Sequence, residues 1–313
     1  MSHQNLRRFI AITTSVILTA LLSAPATAAN IAFVSFHPAD NTPSAAAVTA
    51  GFAQAPDIGY TNLLTSAGHT VTRVLTEESK ANVSSLNSYD LVILGRSVNS
   101  GHYDGDAETA AWNGLNVPLI SIGGYPLRNN RLGYFTGTTI PDTTGSVKLA
   151  VTDPSHPIFA GIALDGANTM VNDYAGIVNQ PFAPNTPQRG ISVNTNPIVP
   201  GGIVLATAQV LTGTPPVATA GNVIAFLPKG AALATAPVDT LGGARLVFLT
   251  GSREDANPSD KAGIFDLSAD GATMFLNAVE FMAAIPEPST ASLAMFALTG
   301  LGAVRRKARR TPA

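Results

Sequence analysis

The run IAFVSF at residues 31–36 is of strand length and almost entirely apolar, and it stands directly before His37. A continuous apolar run, rather than an alternating one, is typical of a strand that is covered on both faces of a sheet. Residues 89–94 and residues 117–122 have the same character. The three runs therefore predict the centre of a buried, parallel sheet.

Segments of helical period separate these runs. In residues 57–68 apolar side chains recur at helical spacing, and residues 70–75 predict a further strand. A helix that is capped by Asp104 or Asp106 is expected to extend to Leu115. Strands that alternate with helices indicate βαβ units, so the sequence predicts the α/β class, with a flavodoxin-like, mostly parallel sheet flanked by helices.

The second half of the chain changes in character. Residues 163–243 are rich in Pro, Gly, Thr and Asn, with short apolar runs at residues 203–206 and 223–227. A disordered insert is one interpretation, and turns with a few edge or hairpin strands are the other. The apolar runs favour strands that are added to the sheet. A strand over residues 245–250 and a helix over residues 268–284 then complete the domain.

Composition excludes several classes of protein. A net charge of −2, with 12% charged residues, leaves no basic surface for nucleic acid. The chain has no cysteine, which excludes disulfides, zinc–thiolate sites, iron–sulfur clusters and a cysteine nucleophile. Neither G-x-x-x-x-G-K-[ST] nor G-x-G-x-x-G occurs. We therefore expect no cofactor and no nucleic-acid partner.

The first residues have the pattern of a secretory signal peptide. Arg7 and Arg8 precede an apolar stretch at residues 9–22, and the small residues at 26–28 suit cleavage by signal peptidase. The expected signal peptide covers residues 1–28. The protein is thus predicted to be exported.

The C-terminal segment has three parts. They are Pro286, Glu287 and Pro288, an apolar run at residues 291–304, and the cations Arg305, Arg306, Lys307, Arg309 and Arg310. The prolines favour an extended segment, the apolar run partitions into lipid, and the cations stay on the cytoplasmic side. A buried core helix is the alternative, since the run is shorter than the roughly 18 residues of a membrane span. The flanking prolines and cations favour a sorting or anchoring tail.

This segment resembles the PEP-CTERM sorting signal of Gram-negative bacteria, whose signature tripeptide residues 286–288 match. The resemblance implies recognition by an exosortase-type transpeptidase and contact of the C-terminal segment with membrane lipid. It implies a protein of the cell envelope or surface that is membrane-anchored at least transiently. The chain is accordingly divided into the signal peptide, an α/β domain at residues 29–284, and a sorting tail with a short membrane segment at residues 285–313.

The body resembles the class I glutamine amidotransferase-like superfamily, especially its ThuA-like branch. The resemblance rests on the order of the strand runs, on DPSHPI at residues 153–158, and on RLVFLTG at residues 245–251 ahead of MFLNA at residues 274–278. An amidotransferase needs a cysteine on the sharp turn after a central strand. Residues 121–125 read SIGGY, so glutamine hydrolysis is excluded. The ThuA-like resemblance implies a link with sugars but no defined reaction.

Candidate ligand-binding residues follow the predicted strands. In a flavodoxin-like sheet the crevice lies outside the carboxyl ends of the strands, at the switch point between the first and third. The candidates are His37, Arg96, Ser97, His102, Gly123, Gly124 and Arg253. An arginine offers a rigid fork of donors to a carboxylate, phosphate or sugar hydroxyl, whereas a surface ion pair is the other interpretation. The glycines either admit a ligand to the backbone or mark a turn.

No catalytic set is identified. Ser97 and Ser121 carry hydroxyl groups, but neither lies in a G-x-S-x-G elbow. His102, Asp104 and Asp106 are of the types that bind a divalent cation. Because further ligands are not identified, a solvated loop whose aspartates cap a helix is favoured, and no metal is expected.

Three functions stay open. The first is an exported envelope or extracellular-matrix protein without catalysis, which binds carbohydrate such as exopolysaccharide in its crevice. The alternative is an extracytoplasmic, metal-assisted ThuA-like enzyme of sugar metabolism that uses His37, His102 and Asp104. A purely structural matrix component would carry no convergent polar groups.

Overall fold

A computed structural model describes residues 28–77, 82–143, 145–178, 190–210, 221–235, 239–252 and 263–285. Within these residues the strands are β1 (Asn30–Ser35), β2 (Thr70–Leu75), β3 (Leu91–Leu94), β4 (Leu119–Ser121), β5 (Val147–Val151), β6 (Ile203–Val210), β7 (Asn222–Leu227) and β8 (Arg245–Phe248). The α-helices are α1 (Ala45–Thr49), α2 (Ile58–Ser66), α3 (Asp106–Asn113) and α4 (Ala269–Ala283). Short 3₁₀ turns lie at Val83–Ser88, Ser100–Tyr103, Tyr125–Leu127 and Pro157–Phe159.

All the strands form one sheet in the order β2-β1-β3-β4-β8-β7-β6-β5. The first five strands in this order are parallel. The last three are each antiparallel to the strand before them. The chain leaves β1 toward β2 and returns to β3 on the other side, which makes the β1–β3 boundary the switch point of the sheet. The predicted fold class is therefore confirmed, including the edge strands that the second half of the chain adds.

The central strands form where the sequence is continuously apolar. Every residue of β3 is buried, and so is every residue of β1 except Asn30. Full burial of a Val, Leu, Ile or Phe side chain stabilises the fold by roughly 1.5–3 kcal/mol. These two strands therefore anchor the core. The edge strand β2, in contrast, has no fully buried residue.

Helix α4 packs its apolar side on the sheet. Its buried residues are Gly271, Met274, Phe275, Ala278, Val279 and Met282. The ring centroids of Phe275 and Phe248 lie 5.4 Å apart, which joins the helix to β8. The helix begins at a Ser268 side chain that accepts a hydrogen bond from the Gly271 N–H at 3.1 Å. Such a cap satisfies one of the free N–H groups of the first turn.

The predicted capping of α3 by Asp104 or Asp106 is wrong. Gly105 occupies the N-cap position and, having no side chain, makes no capping hydrogen bond. Asp104 Oδ2 instead lies 3.3 Å from Arg131 Nη1. Asp106 lies in the first turn, where its negative charge interacts favourably with the helix dipole.

Arg245 is fully buried beneath the end of α3. Its Nη1 and Nη2 donate to the main-chain carbonyls of Trp112, Asn113, Leu115, Val117 and Ala244 at 2.7 to 3.3 Å. The last carbonyls of a helix have no partners within the helix. The guanidinium group of Arg245 therefore caps the C-terminal end of α3. The apolar pattern of residues 245–250 does not indicate this role.

Candidate functional site

The carboxyl ends of β1 and β3 lie side by side and bring together His37 and Ser97. The Phe36 N–H donates to the Ser97 carbonyl at 2.9 Å, which joins the two loops. His37 Nε2 lies 3.0 Å from Ser97 Oγ, and both side chains are fully buried. Two of the predicted site residues thus make direct contact at the switch point.

The backbone around His37 fixes the tautomer of its neutral imidazole. The Ser44 N–H donates to His37 Nδ1 at 3.0 Å. Because a backbone N–H can only donate, Nδ1 must be the unprotonated nitrogen, and Nε2 carries the proton. His37 Nε2–H therefore donates to Ser97 Oγ. A serine nucleophile needs the opposite direction, in which its hydroxyl donates to the imidazole that removes the proton.

A series of buried polar side chains lies next to the His37–Ser97 contact and begins at Ser35, the last residue of β1. Ser35 Oγ accepts from the His37 N–H at 3.2 Å and donates to Asp57 Oδ2 at 2.6 Å. Asp57 Oδ1 lies 2.9 Å from Arg73 Nη1 in a buried ion pair. Arg73 Nε also contacts Asp40 Oδ1 at 2.6 Å. Asp57 and Arg73 lie on different elements, so no spacing in the sequence could have indicated this pair.

Two arginines approach the ring of Tyr125. The guanidinium carbon of Arg96 lies 5.2 Å from the ring centroid, and that of Arg128 lies 5.4 Å from it. Arg96 follows β3 and is buried, whereas Tyr125 and Arg128 follow β4 and are partly exposed. A cation over an aromatic face is favourable by about 0.5–2 kcal/mol. The position of Arg96 after a predicted strand indicates a site residue, whereas no sequence signal indicates Tyr125 or Arg128.

Glycines make room for Arg96. A Cβ on Gly123 would lie 3.2 Å from the Gly95 carbonyl oxygen and 3.4 Å from Arg96 Cα. Gly251 has a φ of +83°, and its Cβ would lie 3.0 Å from Arg96 Cβ. Gly124 is less restricted, since its Cβ would come no closer than 3.4 Å to a neighbouring side chain. Close packing of the loops explains Gly123, and the approach of a ligand to its backbone stays a prediction.

His102 lies at the margin of this region, in the turn Ser100–Tyr103. Its Nδ1 is 3.1 Å from Thr76 Oγ1, and Thr76 Oγ1 is 3.0 Å from the Tyr103 hydroxyl. Asp104 is engaged with Arg131. Among the residues that the structure describes, no group of three His, Cys, Asp or Glu side chains could hold a metal ion.

A second buried cluster surrounds Asp266. The Tyr60 hydroxyl, the Thr250 hydroxyl and the Gly251 N–H all donate to Asp266 Oδ1, at 3.2, 2.8 and 3.0 Å. Burial raises the pKa of Asp266 to about 6, against the lowering effect of these hydrogen bonds. The pKa of Tyr60 is also raised, mainly because the residue is buried and further because the charge of Asp266 lies beside it. No pattern in the sequence indicates this carboxyl group.

Comparison with protein families explains the other end of the chain. Residues 284–310 match the PEP-CTERM protein-sorting motif. The match confirms the predicted sorting tail and supports an exported, envelope-associated protein that an exosortase sorts. The tripeptide Pro286, Glu287 and Pro288 lies within the matched residues but outside those that the structure describes.

Other comparisons add little to the PEP-CTERM match. No curated protein sequence matches the chain. Among solved structures, the cytoplasmic protein STM3548 from Salmonella typhimurium is similar, with a TM-score of 0.45 and 10% identity. The alignment covers 80% of this chain and 98% of that one. This likeness is too remote to carry an argument, and the ThuA-like resemblance of the body stays a prediction.

Two further predictions concern residues beyond the described site. Arg253 lies outside the described residues, so its place relative to Arg96 stays a prediction. The predicted membrane segment of the PEP-CTERM tail also lies outside them. Within the described ranges, no helix is both long enough and apolar enough to cross a bilayer.

Proposed function

We propose that this PEP-CTERM protein is a non-catalytic component of the cell envelope or extracellular matrix of a Gram-negative bacterium. The signal peptide at residues 1–28 directs its export, and the tail at residues 285–313 holds it in the membrane at least transiently. The domain at residues 29–284 is displayed and binds carbohydrate at the carboxyl ends of β1, β3 and β4. The observation that carries this proposal is the match of the tail to the sorting motif.

The tautomer of His37 supports a function without catalysis. With Nδ1 accepting from Ser44 and Nε2–H donating to Ser97, the imidazole has no lone pair directed at the serine hydroxyl. It cannot serve as a general base toward Ser97 without first losing the Ser44 hydrogen bond. A serine-directed fluorophosphonate is therefore expected to leave Ser97 unlabelled, and stoichiometric labelling there would favour the enzyme.

The exposed part of the region suits a sugar. Tyr125 and Arg128 are the partly exposed residues beside the buried Arg96. A tyrosine hydroxyl both donates and accepts hydrogen bonds, and a guanidinium group donates several hydrogen bonds to hydroxyl oxygens. The position also agrees with the rule that open α/β sheets bind ligands outside the carboxyl ends of their strands.

Delivery and binding are tested separately. Replacing both Pro286 and Pro288 by Ala removes the signature residues, and Pro312→Ala, beyond the matched residues, is the control. We expect the double variant to accumulate unsorted in the inner-membrane fraction while the control reaches the envelope. Identical fractionation of the two would overturn exosortase sorting.

For the binding arm, the full-length protein is screened on an array of bacterial glycans, with Tyr125→Ala as the site variant. We expect specific glycans to bind the wild type and to lose signal with the variant. Uniform absence of binding would reject the carbohydrate function while leaving the sorting result unaffected.

A further inference from the structure

Arg128 connects the loops that follow β3 and β4. Its Nε donates to the Tyr125 carbonyl at 2.9 Å, and its Nη2 donates to Ser100 Oγ at 3.0 Å. Its guanidinium carbon lies over the Tyr125 ring. These three contacts hold the planar group in one orientation. A group that is already ordered loses little conformational entropy when a ligand binds.

The positive charge of Arg128 has no acidic partner within the described part of the chain. The carboxylate of Asp104 pairs instead with Arg131, with Oδ2 and Nη1 3.3 Å apart. Burial lowers the pKa of Arg128, and the charge of Arg131 lowers it further, whereas Tyr125 raises it. Burial and the neighbouring Arg131 charge thus impose a cost on the charged form of Arg128, which its contact with Tyr125 offsets in part. An anion beside it would relieve that cost.

Donor groups of Arg128 remain available for such an anion. Nη1 makes no hydrogen bond to any described residue, and Nη2 has a second N–H besides the one directed at Ser100. Two adjacent N–H groups of a guanidinium match the two oxygens of a carboxylate. The guanidinium of Arg96 also approaches the Tyr125 ring, at 5.2 Å from its centroid.

We propose that Arg128 binds the carboxylate of an acidic sugar, such as a uronic acid residue of an exopolysaccharide. This inference rests on the carbohydrate-binding function proposed above and specifies the class of sugar. Arg128 is a recognition residue, and Tyr125 and Ser100 are positioning residues that orient it.

The test measures the affinity of the full-length protein for two ligands by isothermal titration calorimetry. The ligands are trigalacturonate and the same trisaccharide after reduction of its carboxylates to alcohols. The variants are Arg128→Gln, Arg128→Lys and the control Arg131→Gln, which removes an equal charge from a neighbouring arginine that already has an acidic partner. Thermal melting verifies that each variant is folded.

We expect the wild type to bind trigalacturonate at least about tenfold more tightly than the reduced trisaccharide. Arg128→Gln should abolish this preference, and Arg128→Lys should lose most of it because an ammonium lacks the planar fork. Arg131→Gln should keep it. If Arg128→Gln does not fold, Arg128→Lys decides the question.

The outcomes separate this inference from the function on which it rests. Equal binding of the two trisaccharides by the wild type, or an unchanged preference in Arg128→Lys, overturns the inference but leaves carbohydrate binding intact. Binding of neither trisaccharide overturns the inference, and the array result then decides the broader function. Free galacturonate distinguishes the source of the carboxylate. If it binds as tightly as the trimer, the site recognises small carboxylates and the polysaccharide assignment is rejected.

Discussion

His37 Nε2 and Ser97 Oγ lie 3.0 Å apart, although 60 residues separate them in the chain. Each residue follows a central parallel strand, and the two strands are neighbours at the switch point of the sheet. Their contact therefore depends on the fold as a whole. It joins the loops that follow β1 and β3, and Arg96 of the second loop contacts Tyr125 in the loop after β4.

Ser97→Ala removes the acceptor of the buried His37 Nε2–H. A buried donor that loses its partner costs roughly 1–3 kcal/mol, so we expect the free energy of unfolding to fall by that amount. Urea denaturation measures the change. Ser88→Ala is the control, since Ser88 is exposed and its hydroxyl donates to the Ser85 carbonyl within the same turn. Equal effects of the two substitutions would mean that the His37–Ser97 contact contributes nothing.

Asp266→Asn should change how stability depends on pH. The folded-state pKa of Asp266, about 6, lies above the ordinary value of 3.8, so the folded protein favours the neutral form. The contribution of the neutral Asp266 carboxyl group to the free energy of unfolding is complete below pH 3.8 and is lost as the pH rises through about 6. The loss is on the order of 3 kcal/mol, because one pKa unit corresponds to about 1.4 kcal/mol.

Asparagine is neutral throughout this range. Relative to the wild type, Asp266→Asn should therefore become more stable as the pH rises from 4 to 8, as measured by guanidinium denaturation at each pH. Asp106→Asn, an exposed site with the same change of charge, is the control, and its profile should depart from that of the wild type by no more than the roughly 0.3–1 kcal/mol of an exposed helix-dipole interaction. A constant difference between Asp266→Asn and the wild type across this range would contradict the raised pKa.

The sequence predicts those parts of the structure in which burial of consecutive residues produces a local apolar pattern. Residues 31–36 and 89–94 indicated β1 and β3 because both faces of these strands are covered. β5 was missed, because Val147–Val151 alternates buried and half-buried residues and pairs with a strand far along the chain.

The same distinction applies to the site. His37 and Ser97 could be placed near each other, because the carboxyl ends of neighbouring parallel strands meet at one edge. Arg128 and Asp266 could not be identified, since their roles depend on contacts with Ser100 and Tyr60 that no local pattern records. The resemblance of the tail, in contrast, was confirmed because a sorting signal is read as a linear sequence.

Arg245→Met should be strongly destabilising. The substitution keeps an apolar stem but removes the guanidinium donors to the main-chain carbonyls of Trp112, Asn113 and Leu115. The Trp112 and Asn113 carbonyls keep the backbone donors Leu115 N–H and Gly242 N–H, whereas the Leu115 carbonyl loses its guanidinium partner. Hydrogen bonds to charged groups contribute roughly 1.5–3 kcal/mol each, so we expect a loss of at least about 3 kcal/mol in the free energy of unfolding. Lys229→Met, which removes an exposed cation, is the control for the change of charge. A loss below about 1 kcal/mol would show that water replaces the guanidinium group.

Gly271→Ala tests the close approach of α4 to the loop that carries Tyr174. Alanine normally stabilises a helix interior by roughly 1 kcal/mol relative to glycine. At this position, however, a Cβ would lie 2.1 Å from the Tyr174 carbonyl oxygen, and the obstacle is backbone rather than a flexible side chain. The helix would have to move away from the loop. We therefore expect the opposite sign, a loss of about 1–3 kcal/mol, as for other overpacked sites.

The exposed Thr273→Ala in the same helix is the matched control, because it improves helix propensity without meeting the sheet. It should leave the thermal midpoint unchanged or raise it slightly, while Gly271→Ala lowers it. The sign of the Gly271→Ala effect decides between two views of the helix. A stabilised variant would show that α4 has room to shift, and the tight packing of α4 against Tyr174 would then not be a constraint on the fold.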